Sequence, residues 1–174
     1  SKSKLAIVKE IKKYIISGGF LFAMCSATDT YDIALAAEDI DICAKMFDGD
    51  GITPNAEKLL DYNKTLAFKD FTLIKNPNQY EFSSIDATSS RKINAKTDFF
   101  TLFDFSAKWD PIPTMLCQNH TKIIKGFMGQ TTSFKNEFIK SNVLIMGETK
   151  SSNEARYIHG KLGNGTWTFY GGHD

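Results

Sequence analysis

The sequence predicts an α/β fold, a sheet with helices layered on it, and three adjacent stretches predict it. Residues 4–16, KLAIVKEIKKYII, put Leu5, Val8, Ile11 and Ile15 on one face with lysines opposite, the period of an amphipathic helix. Gly18-Gly19 ends that helix, and the apolar run from Phe20 to Met24 reads as a buried strand. The run stops at Ala-Met-Cys-Ser-Ala and gives way to a stretch of helical character. Helix, glycine pair, strand, sharp turn and helix is the order of a layered α/β sheet. A parallel sheet needs an earlier strand beside this one. None precedes Leu5, so one or more strands are expected ahead of this sequence. A length of 174 residues fits a single domain spanning 1–174.

The second helix has Ser26, Thr28 and Asp29 as alternative caps, and Ile33, Ala37, Ile40, Ala44 and Phe47 extend its period, with a break at the polar pair Glu38-Asp39 as the alternative. Glycines and a proline make residues 48–58 a loop. Alternation across residues 65–74, TLAFKDFTLI, reads as one strand or a tight hairpin, and the polar run 83–98 as a surface loop. The apolar TLFDFSAKW reads as a strand stopped by Asp110-Pro111-Ile112-Pro113, and TMLCQN as a further short one. Residues 121–140 mix helix and strand character, and NVLIMG at 142–147 is a short buried strand. The closing segments ARYIHGKL and TWTFYGG flank Gly163-Asn164-Gly165, which predicts a hairpin.

The bulk composition excludes several classes. A net charge of +1 offers no electrostatic basis for binding nucleic acid or an anionic membrane. No apolar stretch is long enough to span a bilayer, so no membrane insertion is expected. The three cysteines, Cys25, Cys43 and Cys117, leave at least one thiol unpaired and show no zinc spacing. Cytoplasmic and exported locations both fit this usage. The fourteen phenylalanines point to a well-packed interior.

The residue that stands out chemically is Cys25. It lies at the expected strand-to-helix junction, with the small residues Ala23 and Ala27 two positions to either side. A tight elbow needs small residues there, because the backbone closes on itself around the nucleophile. Amide groups at a helix start, and the helix dipole, favour thiolate. A Cys–His pair needs an imidazole, and the last strand ends Phe169-Tyr170-Gly171-Gly172-His173-Asp174. If that strand lies beside the elbow strand, His173 reaches Cys25, takes its proton and later protonates the leaving amine. Asp174 is the candidate orienting acid, and an acid further along the chain is an equal alternative. The Ser26 amide is the candidate oxyanion donor. For an isolated cysteine at a strand end, a small buried hydrophobe is the commoner role.

Trp109, Gln118 and Asn119 form a candidate carbohydrate-handling group, since rings stack on sugar faces and amides bond hydroxyls. Glu148 and Arg156, near the end of the NVLIMG strand, are further candidate ligand contacts. His120 reads as loop surface and His159 as structural within its hairpin strand. Asp48-Gly49-Asp50-Gly51 has the look of a calcium loop, but Ile52 stands where a third ligand belongs, so no metal is predicted.

GGFLFAMCSATD together with HGKLGNGTWTFYGGHD resembles the class I glutamine amidotransferase-like superfamily, and the Gly-His-Asp ending is similar to its ThuA-like branch. Nearly the whole sequence also resembles a bacterial group, frequent in Bacteroidetes, that carries the transferred name asparagine synthetase B. The resemblance implies a flavodoxin-like three-layer sandwich with a mostly parallel sheet. It maps the nucleophile to Cys25 and the catalytic histidine to His173. The family elbow, Gly-x-Cys-x-Gly, is Ala-Met-Cys-Ser-Ala here, and Asp174 follows the histidine where the family has Pro-Glu. The expected activity is hydrolysis or transfer of an amide or acyl group. The ThuA-like branch generally lacks the cysteine and implies instead a non-catalytic or carbohydrate-handling module. Either way the expected ligand is a small molecule or carbohydrate, and no cofactor is called for. Asparagine synthetase proper uses an amino-terminal cysteine and a Ser-Gly-Gly-x-x-Ser phosphate loop. Neither motif is in these residues, so neither asparagine synthesis nor ATP binding is predicted.

Overall fold

The computed structural model describes residues 2–88, 98–103, 122–127 and 129–172. The first three elements follow the sequence pattern: α1 (Lys2–Ile16), β1 (Phe20–Met24) and α2 (Ala27–Ala36). Ile15 is fully buried, and Val8 and Ile11 pack partly on the core, so the predicted face of α1 is the one that docks. β1 is buried on one side only. Ala23 faces the core, whereas Phe20, Phe22 and Met24 stand on the open side, each more than 40% exposed.

The expected continuation of the second helix past Ala37 does not form. Asp41 ends that period: its carboxylate accepts the Cys43 N–H at 2.8 Å, and its own N–H donates to Thr53 Oγ1 at 2.8 Å. A side chain that bonds nearby backbone in this way competes with the helix ladder. A single turn, α3 (Lys45–Asp48), follows.

The remaining strands are β2 (Phe99–Leu102), β3 (Ile123–Lys125), β4 (Phe134–Lys135), β5 (Leu144–Thr149), β6 (Glu154–Leu162) and β7 (Gly165–Tyr170). The closing hairpin forms where the sequence places it. Leu162 pairs with Gly165, and Gly163 sits at φ 59°, the conformation that a two-residue turn asks of its first central residue. Residues 65–74 form neither strand nor hairpin. They contribute isolated bridges, Phe68 to Ile139 and Leu73 to Ser83.

The sheet corrects the fold expectation. Its order is β1-β7-β6-β5-β2-β3, with β4 against β6, and it curls into a half-barrel. Among the described strands only β1 and β7 are parallel; β7·β6, β6·β5, β5·β2, β2·β3 and β4·β6 are all antiparallel. It is therefore not the mostly parallel, flavodoxin-like three-layer sandwich. The reason is connectivity. A parallel neighbour needs a crossover of a dozen or more residues, usually a helix. Among the described residues the helix–strand–helix order occurs once, at the start, and β5, β6 and β7 then follow one another through short turns that admit only antiparallel pairing. The one parallel pair is closed by all the chain between Met24 and Gly165.

The core lies under β1, β6 and β7, with α1 and α2 on it. Ile15, Leu35, Phe68, Phe71, Phe134, Ile158, Trp167 and Phe169 fill it. Phe68 lies 5.3 Å from Phe134 and 6.1 Å from Phe169, ring centre to ring centre. The irregular segment 65–68 is fastened to α2 by Asp32, which is fully buried. Its carboxylate accepts the N–H groups of Leu66, Ala67 and Phe68 at 2.7, 2.7 and 2.8 Å. These bonds do for the segment what a strand ladder would otherwise do. Asp32→Asn puts an amide NH₂ against backbone donors. It is expected to cost about 2–4 kcal/mol, read as a lowered midpoint in urea unfolding, and an unchanged midpoint would contradict this role.

Candidate functional site

Cys25 occupies a true strand-to-helix elbow. It follows β1 directly, its N–H donates to the Tyr170 carbonyl at 3.0 Å, and Ser26, at the N-cap position, leads straight into α2. Its φ is 53°. A left-handed backbone at a residue with a side chain costs about 1–2 kcal/mol and persists only where its surroundings impose it. Here the ladder to β7 fixes one side. The Thr28 N–H and hydroxyl, both donating to the Cys25 carbonyl, fix the other. The half-buried sulfur donates to the Gln130 carbonyl at 2.9 Å.

The parallel register pairs Met24 with Tyr170. The chain beyond β7 therefore leaves the sheet beside the elbow. Gly171 and Gly172 are the last described residues of that exit. Gly171 donates to the Arg156 carbonyl at 2.7 Å, and the Thr132 carbonyl comes so near its Cα that no side chain fits. His173 and Asp174 follow in sequence and lie outside the described residues, as do Trp109, Gln118, Asn119 and His120.

The turn that meets the sulfur, residues 129–132, is itself strained and heavily bonded. Thr131 has φ 52°, an outlier for a β-branched residue. Its N–H donates to Asp86 Oδ2 at 2.7 Å. Its hydroxyl lies 3.1 Å from Asp29 Oδ1 and 3.5 Å from Asp86 Oδ2. Ser83 donates to Asp29 Oδ2 at 3.3 Å, and Thr88 donates to Asp86 Oδ1 and stands 2.9 Å from the Gly129 carbonyl oxygen. Gln130 is held from outside by Tyr80, whose hydroxyl accepts the Gln130 N–H at 3.1 Å. Asp29 is fully buried and Asp86 1% exposed. Burial pushes the Asp29 carboxyl up to about 7; the Asp86 charge adds to this and the Thr131 and Ser83 hydroxyls oppose it.

Sequence reading singled out Asp29 only as a helix cap and did not single out Asp86, Gln130 or Thr131. Nothing local marks them, because the cluster joins positions more than a hundred residues apart. The polar run from Ser83 was expected to be surface loop. Ser83, Ile85, Asp86 and Ala87 are instead buried, since the carboxylate and hydroxyl there have partners in the interior. Asp41 was missed in the same way. It joins Asp48 and Asp50, with carboxylate oxygens within 4.8 Å of one another.

The other candidate contacts have partners of their own. Arg156 is fully buried, ion-paired with Asp98, its guanidinium 5.9 Å from the Phe100 ring centre. Glu148 stands on β5 near Lys150, at 3.9 Å. His159 is buried in β6, with Nδ1 2.9 Å from Thr168 Oγ1. Among the described residues no helix is long and apolar enough to cross a membrane.

The buried acids set a pH dependence. Asp29 titrates near 7 and Asp32 near 6, the latter raised by burial against its three N–H donors; both have an ordinary value of 3.8. The folded chain thus holds these protons to higher pH than the unfolded chain does. Their contribution to stability is full below 3.8 and is lost as pH rises through the folded values. Asp29→Asn does not titrate, so its Tm relative to the parent should rise steadily from pH 4 to 7 and level off above. A difference independent of pH would contradict this. No family model, curated protein or solved structure matches the chain.

Proposed function

We propose that Cys25 is the nucleophile of an amide- or acyl-cleaving site, with His173 as its proton acceptor, Asp174 as the candidate orienting acid and the Ser26 amide as an oxyanion donor. One observation carries the reading: the left-handed Cys25 at a strand–helix elbow whose parallel neighbour runs on to His173. Backbone strain held in place by surrounding bonds clusters at functional sites. A buried cysteine serving only as a small hydrophobe needs no such backbone.

The chemistry follows the usual covalent course. The sulfur attacks the carbonyl carbon while its proton passes to the imidazole. The tetrahedral oxyanion points at the Ser26 N–H. It collapses, the imidazolium gives its proton to the leaving amine or alcohol, and a thioester remains. Water, activated by the same imidazole, adds to the thioester and releases the acid, restoring the thiol. An amine in place of water makes the reaction a transfer.

The test uses p-nitrophenyl acetate and glutamine as probes. The parent chain should release a burst of nitrophenolate and carry an acetyl mass on the Cys25 peptide. Cys25→Ala should abolish both. His173→Gln should slow acylation about 10²–10⁴-fold. Turnover that survives Cys25→Ala, or acetylation confined to other residues, contradicts the assignment.

A further inference from the structure

The Cys25 thiol has its hydrogen-bond acceptor in a turn whose conformation depends on two buried carboxyl groups. The Thr131 hydroxyl lies between Asp29 and Asp86 and has a single proton to give. When Asp29 carries a proton, the chain is matched: the Asp29 hydroxyl donates to Thr131 Oγ1, and the Thr131 hydroxyl is free to donate to Asp86. When both acids are ionised, one of them loses the Thr131 hydroxyl as a donor, and two like charges face each other across one oxygen. Thr131 is the residue that bears this mismatch, and its backbone is already held left-handed. Gln130, one position before it, carries the carbonyl that accepts from the Cys25 sulfur.

We propose that Asp29 is a proton-linked positioning residue for Cys25: protonated, it locks Thr131 and so keeps the Gln130 carbonyl on the sulfur as a cap, and ionised, it releases that cap and frees the thiol. This rests on the reading of Cys25 as the reactive group of the site.

The surroundings of Asp29 suit the role. From its own helix the Thr30 N–H faces it, from the 83–88 segment the Ser83 hydroxyl and the Asp86 carboxylate, and from the turn the Thr131 hydroxyl. Asp86 is the charged group that acts on it, and Asp86 holds the Thr131 N–H, which belongs to the same peptide unit as the Gln130 carbonyl, so repulsion between the two acids bears directly on the cap. The next acid along, Glu154, accepts from Ser133 at 2.6 Å and belongs to the neighbouring bond pattern. The titration range, near 7, lies where a cell's pH changes act.

The experiment is the rate of iodoacetamide labelling of Cys25 against pH from 5.5 to 9, read on the Cys25 peptide by mass spectrometry. The parent should show a rise near pH 7 on top of the thiol's own ionisation. Asp29→Asn keeps a donor on Thr131 at every pH. It should lose that extra rise and label about fivefold more slowly at pH 8. Thr131→Val removes the shared hydroxyl but keeps the branched shape, and should label faster than the parent at pH 6, again without the extra rise. A thermal melt confirms that each variant is folded at the pH of labelling. If Asp29→Asn does not fold, Thr131→Val decides alone: an unchanged profile overturns the proposal. Profiles unchanged in both folded variants overturn it as well. Labelling needs no turnover. A chain inert on p-nitrophenyl acetate but sensitive to Asp29→Asn loses the hydrolase reading and keeps the latch. An active chain with insensitive labelling loses only the latch.

Discussion

The pairing of β1 with β7 is the contact on which the site depends. These two strands are far apart in sequence, and their ladder from Phe20↔Thr166 to Met24↔Tyr170 is the one parallel join among the described strands. It does three things together. It adds β1 to the sheet as an edge strand, joining segments from near the two ends of the sequence. Through Cys25 N–H to Tyr170 it fixes the backbone on one side of the cysteine. It also brings the exit of β7 to the elbow, where Gly171 lets the 129–132 turn approach without a side chain in the way. A non-local pair of this kind has a large closure entropy to overcome. The dense packing of Ile15, Trp167 and Phe169 around it is what offsets that cost.

Around this join the fold uses buried carboxylates in place of regular structure. Asp32 gathers the three N–H groups of 66–68, and Asp86 takes the Thr131 N–H. Asp29 faces hydroxyls on both sides. Irregular segments can enter a core only if their backbone groups find partners there, and α2 supplies two of these three acids. The helix behind the cysteine is thus also what fastens the loops over it. Changes in charge within α2 therefore reach the thiol, and a pH-sensitive cap and a pH-dependent stability have one origin.

Local features of the sequence showed the local structure well. The α1 face, the β1 span and the closing hairpin were legible because each is set by neighbours within a few residues: Ile15 at helical spacing, Gly18-Gly19 as a stop, Gly163-Asn164 as a turn. The elbow was legible for the same reason, from the small residues around Cys25. Sheet direction was not. One helix–strand–helix unit looks the same in a parallel sheet and in this mixed one, and what separates them is the order of the later strands. The 65–74 segment alternates like a strand, but Asp32 claims its N–H groups. Ser83 and Asp86 lie in a run that reads as surface loop because polarity alone does not reveal buried partners far away in sequence, Asp29 for the one and Thr131 for the other.

The most direct test of the central claim asks whether the end of β7 delivers position 173 to the Cys25 sulfur. His173→Cys, in a chain with Cys43→Ser and Cys117→Ser, is oxidised mildly and digested without reduction. The register sets Gly171 level with Cys25, so the crosslink asks whether the next two residues bring position 173 within the roughly 7 Å Cα span that a disulfide bridges. The account predicts one intramolecular crosslinked peptide joining positions 25 and 173, at the same yield on dilution. Two free, alkylatable thiols in a chain that still melts cooperatively would contradict it.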